Sequence, residues 1–270
     1  MGSLMRLLTF ILMLAMIPAG IAHADVSYSS AGTVYGQNFN GLASTTVGNP
    51  YTWSNNSTIA DWYSTQSTYL AGTGSDNNGS LYSFGIAGVN PVTDRGLGSL
   101  TSSSATPIRT GIAFVNNTGT TLNTISIRYT GEQWRRASQA STDSLTFDYK
   151  LSASPITIND LTGFVSHAAL NFTSPVVGTG GATSLDGNAA ANRVNGINVQ
   201  LGGFSWLSGQ TLFLRWTDLD IGGSDHGLAI DDFYLAASVP EPGSIALLAG
   251  LGIVGSFVAR RRMAAKRTRV

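Results

Sequence analysis

The sequence predicts an all-β protein, a two-layer antiparallel sandwich resembling a jelly roll, and three observations support this. Residues 25–237 are rich in Ser, Thr, Gly and Asn and poor in Lys and Glu. Short runs there alternate apolar and polar residues with a period of two, whereas helical periodicity is nearly missing. Clusters of Gly and Asn separate the runs at regular spacing, as in sandwiches and barrels. No linker, charge run or repeat divides this segment, so we predict one domain over residues 25–237.

The first 24 residues have the organisation of a secretory signal peptide. A short basic region ends at Arg6, residues 7–17 are apolar except for Thr9, and small residues at Ala22 and Ala24 suit cleavage by signal peptidase. A spanning helix needs about 20 apolar residues, so this stretch is too short for one. We therefore predict that residues 1–24 are removed, in preference to an uncleaved N-terminal anchor.

The alternation of apolar and polar residues is clearest in three runs of the predicted domain. In residues 122–130, Ile125, Ile127 and Tyr129 share one face of a strand, and the polar side chains between them share the other. The pattern recurs in residues 145–151 and 212–217. Further strands are predicted at 111–115, 168–172, 198–201 and 229–236. For residues 25–110 the prediction depends on composition alone.

Charge and cysteine content exclude several classes of function. The whole chain has no net charge, but residues 25–239 hold 8 Lys and Arg against 14 Asp and Glu, a net charge of −6. Because nucleic-acid binding depends on Lys and Arg, we expect no nucleic-acid partner. The chain has no cysteine, which excludes disulfides, thiolate metal sites and a thiol nucleophile. The exported domain must therefore be stable through its core.

A polar and aromatic motif, Glu132, Gln133, Trp134 and Arg135, is the first candidate ligand site. An indole can stack on a sugar ring while the polar groups bind its hydroxyls, so the motif suits a carbohydrate. Alternatively, Trp134 closes one end of the sandwich and Glu132 pairs with Arg135 or Arg136. Catalysis by Glu132 would need a second carboxylate about 5–9.5 Å away, which the sequence does not locate.

An acidic segment is the second candidate site. Five carboxylates fall within fifteen positions and have no Lys or Arg among them: Asp218, Asp220, Asp225, Asp231 and Asp232. Their repulsion favours a bound Ca²⁺, which takes several carboxylate and carbonyl oxygens. The spacing is not that of an EF-hand, because Ala229 stands where the bidentate Glu is needed. The alternative is a solvated loop in which Asp231 or Asp232 caps a strand end.

Catalytic templates are absent from the sequence. It contains no Gly-x-Ser-x-Gly elbow, phosphate-binding loop or His-Glu-x-x-His motif. His226 and Ser224 lie in one loop with Asp225, but residues that close in sequence rarely form a triad. We therefore predict no catalytic residue, and no cofactor other than the Ca²⁺ considered above.

The C-terminal segment, residues 238–270, has three parts. Pro240, Glu241 and Pro242 precede a hydrophobic segment at 245–259, and a basic tail at 260–270 begins with Arg260, Arg261 and Arg262. This order resembles the PEP-CTERM sorting signal of Gram-negative bacteria. The resemblance implies recognition and cleavage by an exosortase, an inner-membrane intermediate with the tail inside, and final location at the cell surface or in the extracellular matrix. An ordinary single-pass membrane anchor is the alternative.

Two sequence blocks, residues 131–135 and 225–233, are similar to those of secreted bacterial β-sandwich ectodomains that often carry such a tail. The resemblance covers residues 110–259 and implies a fold like that of carbohydrate-binding and lectin-like modules. It supplies no catalytic residues. Together these observations predict an exported surface or biofilm-matrix protein that binds exopolysaccharide. The alternatives are a structural matrix component without a small ligand, and a glycan hydrolase using Glu132 and an Asp from 218–232.

Overall fold

The structure, a computed structural model, describes residues 25–85 and 94–239. The predicted signal peptide, hydrophobic segment and basic tail therefore lie outside the described residues. Within them there is no α-helix, and a single turn of 3₁₀ helix spans Ala168–Leu170. The strands are β1 (Val26–Tyr28), β2 (Val34–Gln37), β3 (Tyr51–Thr52), β4 (Trp62–Ser64), β5 (Thr68–Gly72), β6 (Ser80–Phe84), β7 (Gly96–Leu100), β8 (Ile108–Asn116), β9 (Leu122–Arg136), β10 (Ser144–Ser152), β11 (Val165–Ser166), β12 (Phe172–Thr173), β13 (Thr183–Ser184), β14 (Arg193–Trp206), β15 (Thr211–Asp218) and β16 (Gly227–Ser238).

The strands form two sheets, which confirms the predicted two-layer sandwich. The seven-stranded sheet has the order β1-β8-β15-β10-β11, with β4 beside β8 and β12 beside β10. The nine-stranded sheet has the order β13-β9-β16-β7-β6-β5-β3, with β14 beside β9 and β2 beside β16. Two pairings, β1 with β8 and β5 with β6, are parallel, in contrast to the antiparallel arrangement predicted throughout. The remaining pairings are antiparallel.

The alternation read from the sequence determines which faces meet between the sheets. Ile125, Ile127 and Tyr129 on β9 are fully buried in the core, whereas Arg128 between them is exposed. Trp216 on β15 lies at the centre of this core, where its ring contacts four other aromatic rings. The partners are Trp62, Tyr129, Phe147 and Phe233. The apolar positions of the strands thus form one continuous core.

The predicted strand at residues 168–172 is wrong over most of its length. Residues 168–170 form the 3₁₀ turn, and only Phe172 continues into β12. Leu170 is buried in the core, and its carbonyl accepts a hydrogen bond of 2.6 Å from the Tyr129 hydroxyl. The Asn171 side chain accepts the Phe147 backbone N–H at 2.8 Å, a bond that a strand would have made with its backbone. A hydrogen bond to a side chain therefore replaces a backbone hydrogen bond of the β-ladder. The periodicity of the sequence does not reveal this replacement.

A second, smaller apolar cluster covers part of the outer face of the nine-stranded sheet. It consists of Tyr82, Phe84, Leu100, Trp134 and Ala229. The rings of Tyr82 and Phe84 are stacked with centroids 4.7 Å apart, and Phe84 stacks on Trp134 at 6.1 Å. This cluster covers one end of β9 and leaves the other end of its outer face open.

Candidate functional site

The four residues of the predicted sugar motif lie on β9, and strand alternation divides them between two faces. Gln133 points between the sheets, where its side-chain nitrogen lies 2.8 Å from Nδ1 of His226. Glu132 and Trp134 point to the outer face but are covered by the second apolar cluster, and neither is more than 1% exposed. Arg135 is also buried, and its Nη1 donates to the carbonyls of Gly74 and Ser75 at 3.1 Å.

Trp134 packs in the outer apolar cluster, on a face of the sheet and not at the end of the sandwich where the alternative from sequence had it. The indole packs against Gly187, where even a Cβ atom would overlap the ring. Its Nε1 donates to Oε2 of Glu132 at 2.9 Å. Glu132 therefore has a tryptophan partner, not the expected arginine. The indole has no face exposed to a sugar here, and ligand contact by these four side chains stays a prediction.

Glu132 and Asp231 are two buried carboxyl groups on this outer face. Burial raises the pKa of Glu132 to about 7 from its usual 4.5. Burial, and secondly the charge of Glu132, raise the pKa of Asp231 to about 9. Oδ1 of Asp231 accepts the backbone N–H of Asp232 at 2.7 Å. Both groups hold protons more strongly than free side chains, because their ionised forms lie in an apolar setting.

The five acidic residues predicted as one calcium site do not lie together. Asp218 and Asp225 are buried between the sheets, and Asp220 is half-buried in the loop between them. Asp231 lies with Glu132 on the outer face, and Asp232 is exposed beside it. In the part of the chain that the structure describes, no three His, Asp or Glu side chains are arranged as a preformed metal site.

His226 is a hydrogen-bonding residue of the core. Its Nδ1 accepts the backbone N–H of Ala137 at 3.1 Å, so Nε2 carries the proton and lies 3.1 Å from the carbonyl oxygen of Ser141. Burial lowers the pKa of this imidazole below its usual value. The ring is therefore neutral, and Ser224 donates no hydrogen bond to it within the described residues.

An open groove lies where the outer face of the nine-stranded sheet is uncovered. Its volume is about 360 Å³, and its lining comprises Arg128, Thr130, Arg193, Asn195, Gly196 and Asp232. A β-bulge bounds it on each side. The pairing of β14 with β9 shifts register between Val194 and Ile197, and that of β16 with β9 shifts between Asp231 and Tyr234. Bulges redirect side chains and are common beside binding sites.

The bulge on β16 holds Asp232 in a left-handed conformation, with φ of 46°. This region is uncommon for any residue with a Cβ atom, although Asp tolerates it better than most. On the opposite side, Gly196 at φ of 65° forms the bend of β14. These two bends place Asp232 and Asn195 on either side of β9.

The groove is rich in polar groups that lack partners within the protein. Among the described residues, the side chains of Arg128, Arg193, Asn195 and Asp232 make no hydrogen bond or ion pair with one another or with their surroundings. The Nε atom of Arg193 is buried and has no hydrogen-bond partner among the described residues. The Arg128 guanidinium lies 4.7 Å from the Tyr234 ring centroid. Tyr234 also lines a second depression, of about 190 Å³, with Gly36, Gln37 and Asn38.

Sequence reasoning did not select most of these groove residues. Arg128 and Thr130 belong to the outward face of a predicted strand, and nothing in the sequence distinguishes them from ordinary surface residues. Arg193 and Asn195 precede Gly196, and an isolated glycine in a strand is a signal of a bulge. That signal could have located one side of the groove.

A comparison with protein families matches residues 238–262 to the PEP-CTERM protein-sorting motif. This agrees with the resemblance found in the sequence. The motif indicates export and membrane-associated sorting to the cell surface, and implies processing by an exosortase. The chain is thus a β-sandwich protein that carries a C-terminal sorting motif. Within the described residues, no helix has the length and apolar character needed to cross a membrane.

Solved structures with a similar β-sandwich include carbohydrate-binding and adhesin domains. The xylan-binding CBM22-1 domain of Xyn10C from Paenibacillus barcinonensis is 11% identical, with 78% of this chain and 99% of that chain covered and a TM-score of 0.35. TmCBM61, in complex with β-1,4-galactotriose, is 8% identical, with 75% and 99% covered and a TM-score of 0.30. The K1 cleaved adhesin domain of Lys-gingipain from Porphyromonas gingivalis W83 is 12% identical, with 77% and 100% covered and a TM-score of 0.36. These TM-scores assign no ligand or activity to this chain. A comparison with curated proteins finds no match.

Proposed function

We propose that this exported protein binds polysaccharide at the cell surface, in the groove between the two bulges of the nine-stranded sheet. One observation carries the proposal: the groove holds guanidinium, amide and carboxylate groups that have no hydrogen-bond or ion-pair partner among the described residues. Polar groups without partners are available to hydrogen-bond the hydroxyls of a sugar chain. An open groove also admits a polymer, whereas a closed cavity would admit only a chain end.

The charges of the groove favour an acidic polysaccharide. The groove is lined by two guanidinium groups, those of Arg128 and Arg193, and by one carboxylate, that of Asp232. Its local charge is therefore positive, although the domain as a whole is negative. A guanidinium fork binds a carboxylate through two parallel hydrogen bonds, so a uronic acid suits either arginine. The Arg128 guanidinium lies over the ring of Tyr234, which orients this arginine beside the groove.

Co-sedimentation with exopolysaccharide tests this proposal. The exported, processed protein is mixed with exopolysaccharide from the producing cell, with polygalacturonate and with a neutral glucan. We expect binding to the first two, and at least a tenfold weaker affinity for Arg128→Ala and Arg193→Ala. Lys150→Ala is the matched control, because it also removes one positive charge but lies on β10 in the other sheet.

Three results would contradict the proposal. Equal loss of binding in the Lys150 control would indicate a general effect of charge, and the groove would have no specific role. No binding of wild type to any of the polymers would favour the structural alternative, a matrix component without a small ligand. Retained binding in both arginine variants would place the ligand elsewhere on the sandwich.

Binding without turnover is part of the proposal. A glycan hydrolase would need two carboxyl groups in contact with substrate, and Glu132 with Asp231 is the pair on this face of the sheet. Both are more than nine-tenths buried beside the apolar cluster. We therefore expect no release of reducing ends from bound polysaccharide. Release that Glu132→Gln abolishes would establish the hydrolase instead.

A further inference from the structure

One end of the space between the two sheets is closed by polar side chains. Asp143 precedes β10, Asp218 ends β15, and Asp225 precedes β16. Asp218 continues the inward-facing series of β15 that includes Leu214 and Trp216, so its carboxyl group points between the sheets. The three aspartates are 2%, 1% and 4% exposed, respectively. A group of carboxyls is thus buried at the end of an apolar core.

Hydrogen bonds satisfy only some of the oxygens in this group. Asp225 accepts the Ile221 backbone N–H at 3.2 Å and the Thr101 hydroxyl at 3.2 Å. Asp218 Oδ2 accepts the Ser99 hydroxyl at 2.6 Å.

Asp143 is bonded in a similar way. Its Oδ1 accepts the Ser144 N–H at 2.7 Å. Two atoms are left over, Oδ2 of Asp143 and Oδ1 of Asp218, and both are buried without a hydrogen-bond partner. Buried oxygens of this kind normally pair with protein, water or an ion, so both atoms are available to a bound cation.

Positive side chains do not balance this group either. In the described part of the chain, the two ion pairs are Lys150 with Asp160 and Arg215 with Asp148, and neither involves these aspartates. The neighbouring His226 is neutral because its Nδ1 accepts two hydrogen bonds. Burial of a carboxylate without a counter-charge is costly, and here several are buried together.

We propose that Asp143 and Asp218 bind one divalent cation, Ca²⁺, between the two sheets at this end of the sandwich. The ion would contact Oδ2 of Asp143 and Oδ1 of Asp218, the two atoms without partners. Ca²⁺ accepts carbonyl, hydroxyl and water oxygens in its remaining positions, so two carboxylates suffice. Asp225 adds negative charge nearby without being a direct ligand. The site retains Asp218 from the segment predicted from sequence, adds Asp143, and omits Asp231 and Asp232.

A cation explains the arrangement better than a proton does. One proton neutralises one carboxyl group and occupies one oxygen, whereas a single Ca²⁺ neutralises both groups and contacts both unpaired oxygens. An ion between these two groups would hold the start of β10 to the end of β15.

Calorimetry and thermal melting of the processed protein test the site. After treatment with EDTA and dialysis, CaCl₂ is titrated into the protein and the melting temperature is measured with CaCl₂ and with EDTA. We expect one bound ion per chain and a rise in Tm of roughly 5–10 °C when Ca²⁺ is about 100-fold above its Kd. Asp143→Asn and Asp218→Asn should lose both effects, whereas Asp186→Asn, on the exposed surface, should keep them.

The melting temperature in EDTA separates the loss of calcium binding from a general loss of stability in both variants. An amide in place of a buried carboxylate removes repulsion, so each Asn variant should melt in EDTA at or above the wild-type temperature. The same variant should melt below wild type in CaCl₂. An unchanged wild-type Tm between CaCl₂ and EDTA, or calcium binding that survives both substitutions, would overturn the proposal. If one Asn variant fails to fold, the other variant and the wild-type titration together decide it.

Discussion

The indole nitrogen of Trp134 donates a 2.9 Å hydrogen bond to Oε2 of Glu132, two residues earlier on the same strand. Both side chains point to the outer face of the nine-stranded sheet, because residues two apart on a strand share a face. The apolar cluster above them excludes water from this bond. The sole glutamate of residues 25–239 is therefore held in an apolar setting by a neutral donor.

This setting predicts that stability falls as pH rises. The folded-state pKa of Glu132 is raised from 4.5 to about 7, so its contribution is complete below pH 4.5 and is lost as pH rises through 7. Such a shift corresponds to about 3 kcal/mol of unfolding free energy. Glu132→Gln should keep the bond to Trp134 and be more stable than wild type at pH 8. Urea denaturation at pH 5 and pH 8 measures this, and an equal decline in both proteins would contradict it.

Backbone conformation at the groove gives a second prediction. Asp232 has a φ of 46°, which a glycine adopts freely and a β-branched residue does not. Asp232→Val should therefore lower the unfolding free energy by about 1–2 kcal/mol. Asp232→Gly, which also removes the carboxylate, should cost less than the valine variant. Equal losses in the two variants, measured by urea denaturation, would attribute the effect to the carboxylate instead of the backbone.

Close approach of strands gives a third prediction, at Gly98 on β7. A Cβ atom there would overlap the backbone carbonyl of Leu228 on the neighbouring β16. Gly98→Ala should destabilise the fold by about 1–3 kcal/mol, because the two strands would have to separate. Gly202→Ala on β14 is the control, since nothing lies within 4 Å of its Cβ position. A loss at Gly202 as large as that at Gly98 would refute this explanation.

Sorting gives a fourth prediction, on the mass of the mature protein. If an exosortase processes the motif at 238–262, the surface form lacks residues 260–270. Intact-mass spectrometry of protein released from the cell surface measures this directly. Glu241→Ala should leave the tail attached, because it alters the Pro-Glu-Pro sequence. A wild-type surface form that still contains the tail would support an ordinary membrane anchor.

Local patterns in the sequence were sufficient to predict the sandwich and the sorting motif. The alternation of Ile125, Ile127 and Tyr129 places one face of β9 in the core wherever its partner strands lie. The sorting motif is read from consecutive residues, so it needs no fold to be recognised. The strand alternation and the sorting motif both depend only on residues that are close together along the chain.

Tertiary structure alone decided which residues meet. Asp143 and Asp218 are 75 positions apart, and the pairing of β10 with β15 brings the start of one strand beside the end of the other. The sequence left open whether Trp134 offers a face to a sugar, and residues of distant strands cover it in the fold. The groove exists because two register shifts bend β14 and β16 around Arg128. Burial and convergence depend on pairing between strands distant in sequence, and no period or spacing along the chain encodes that pairing.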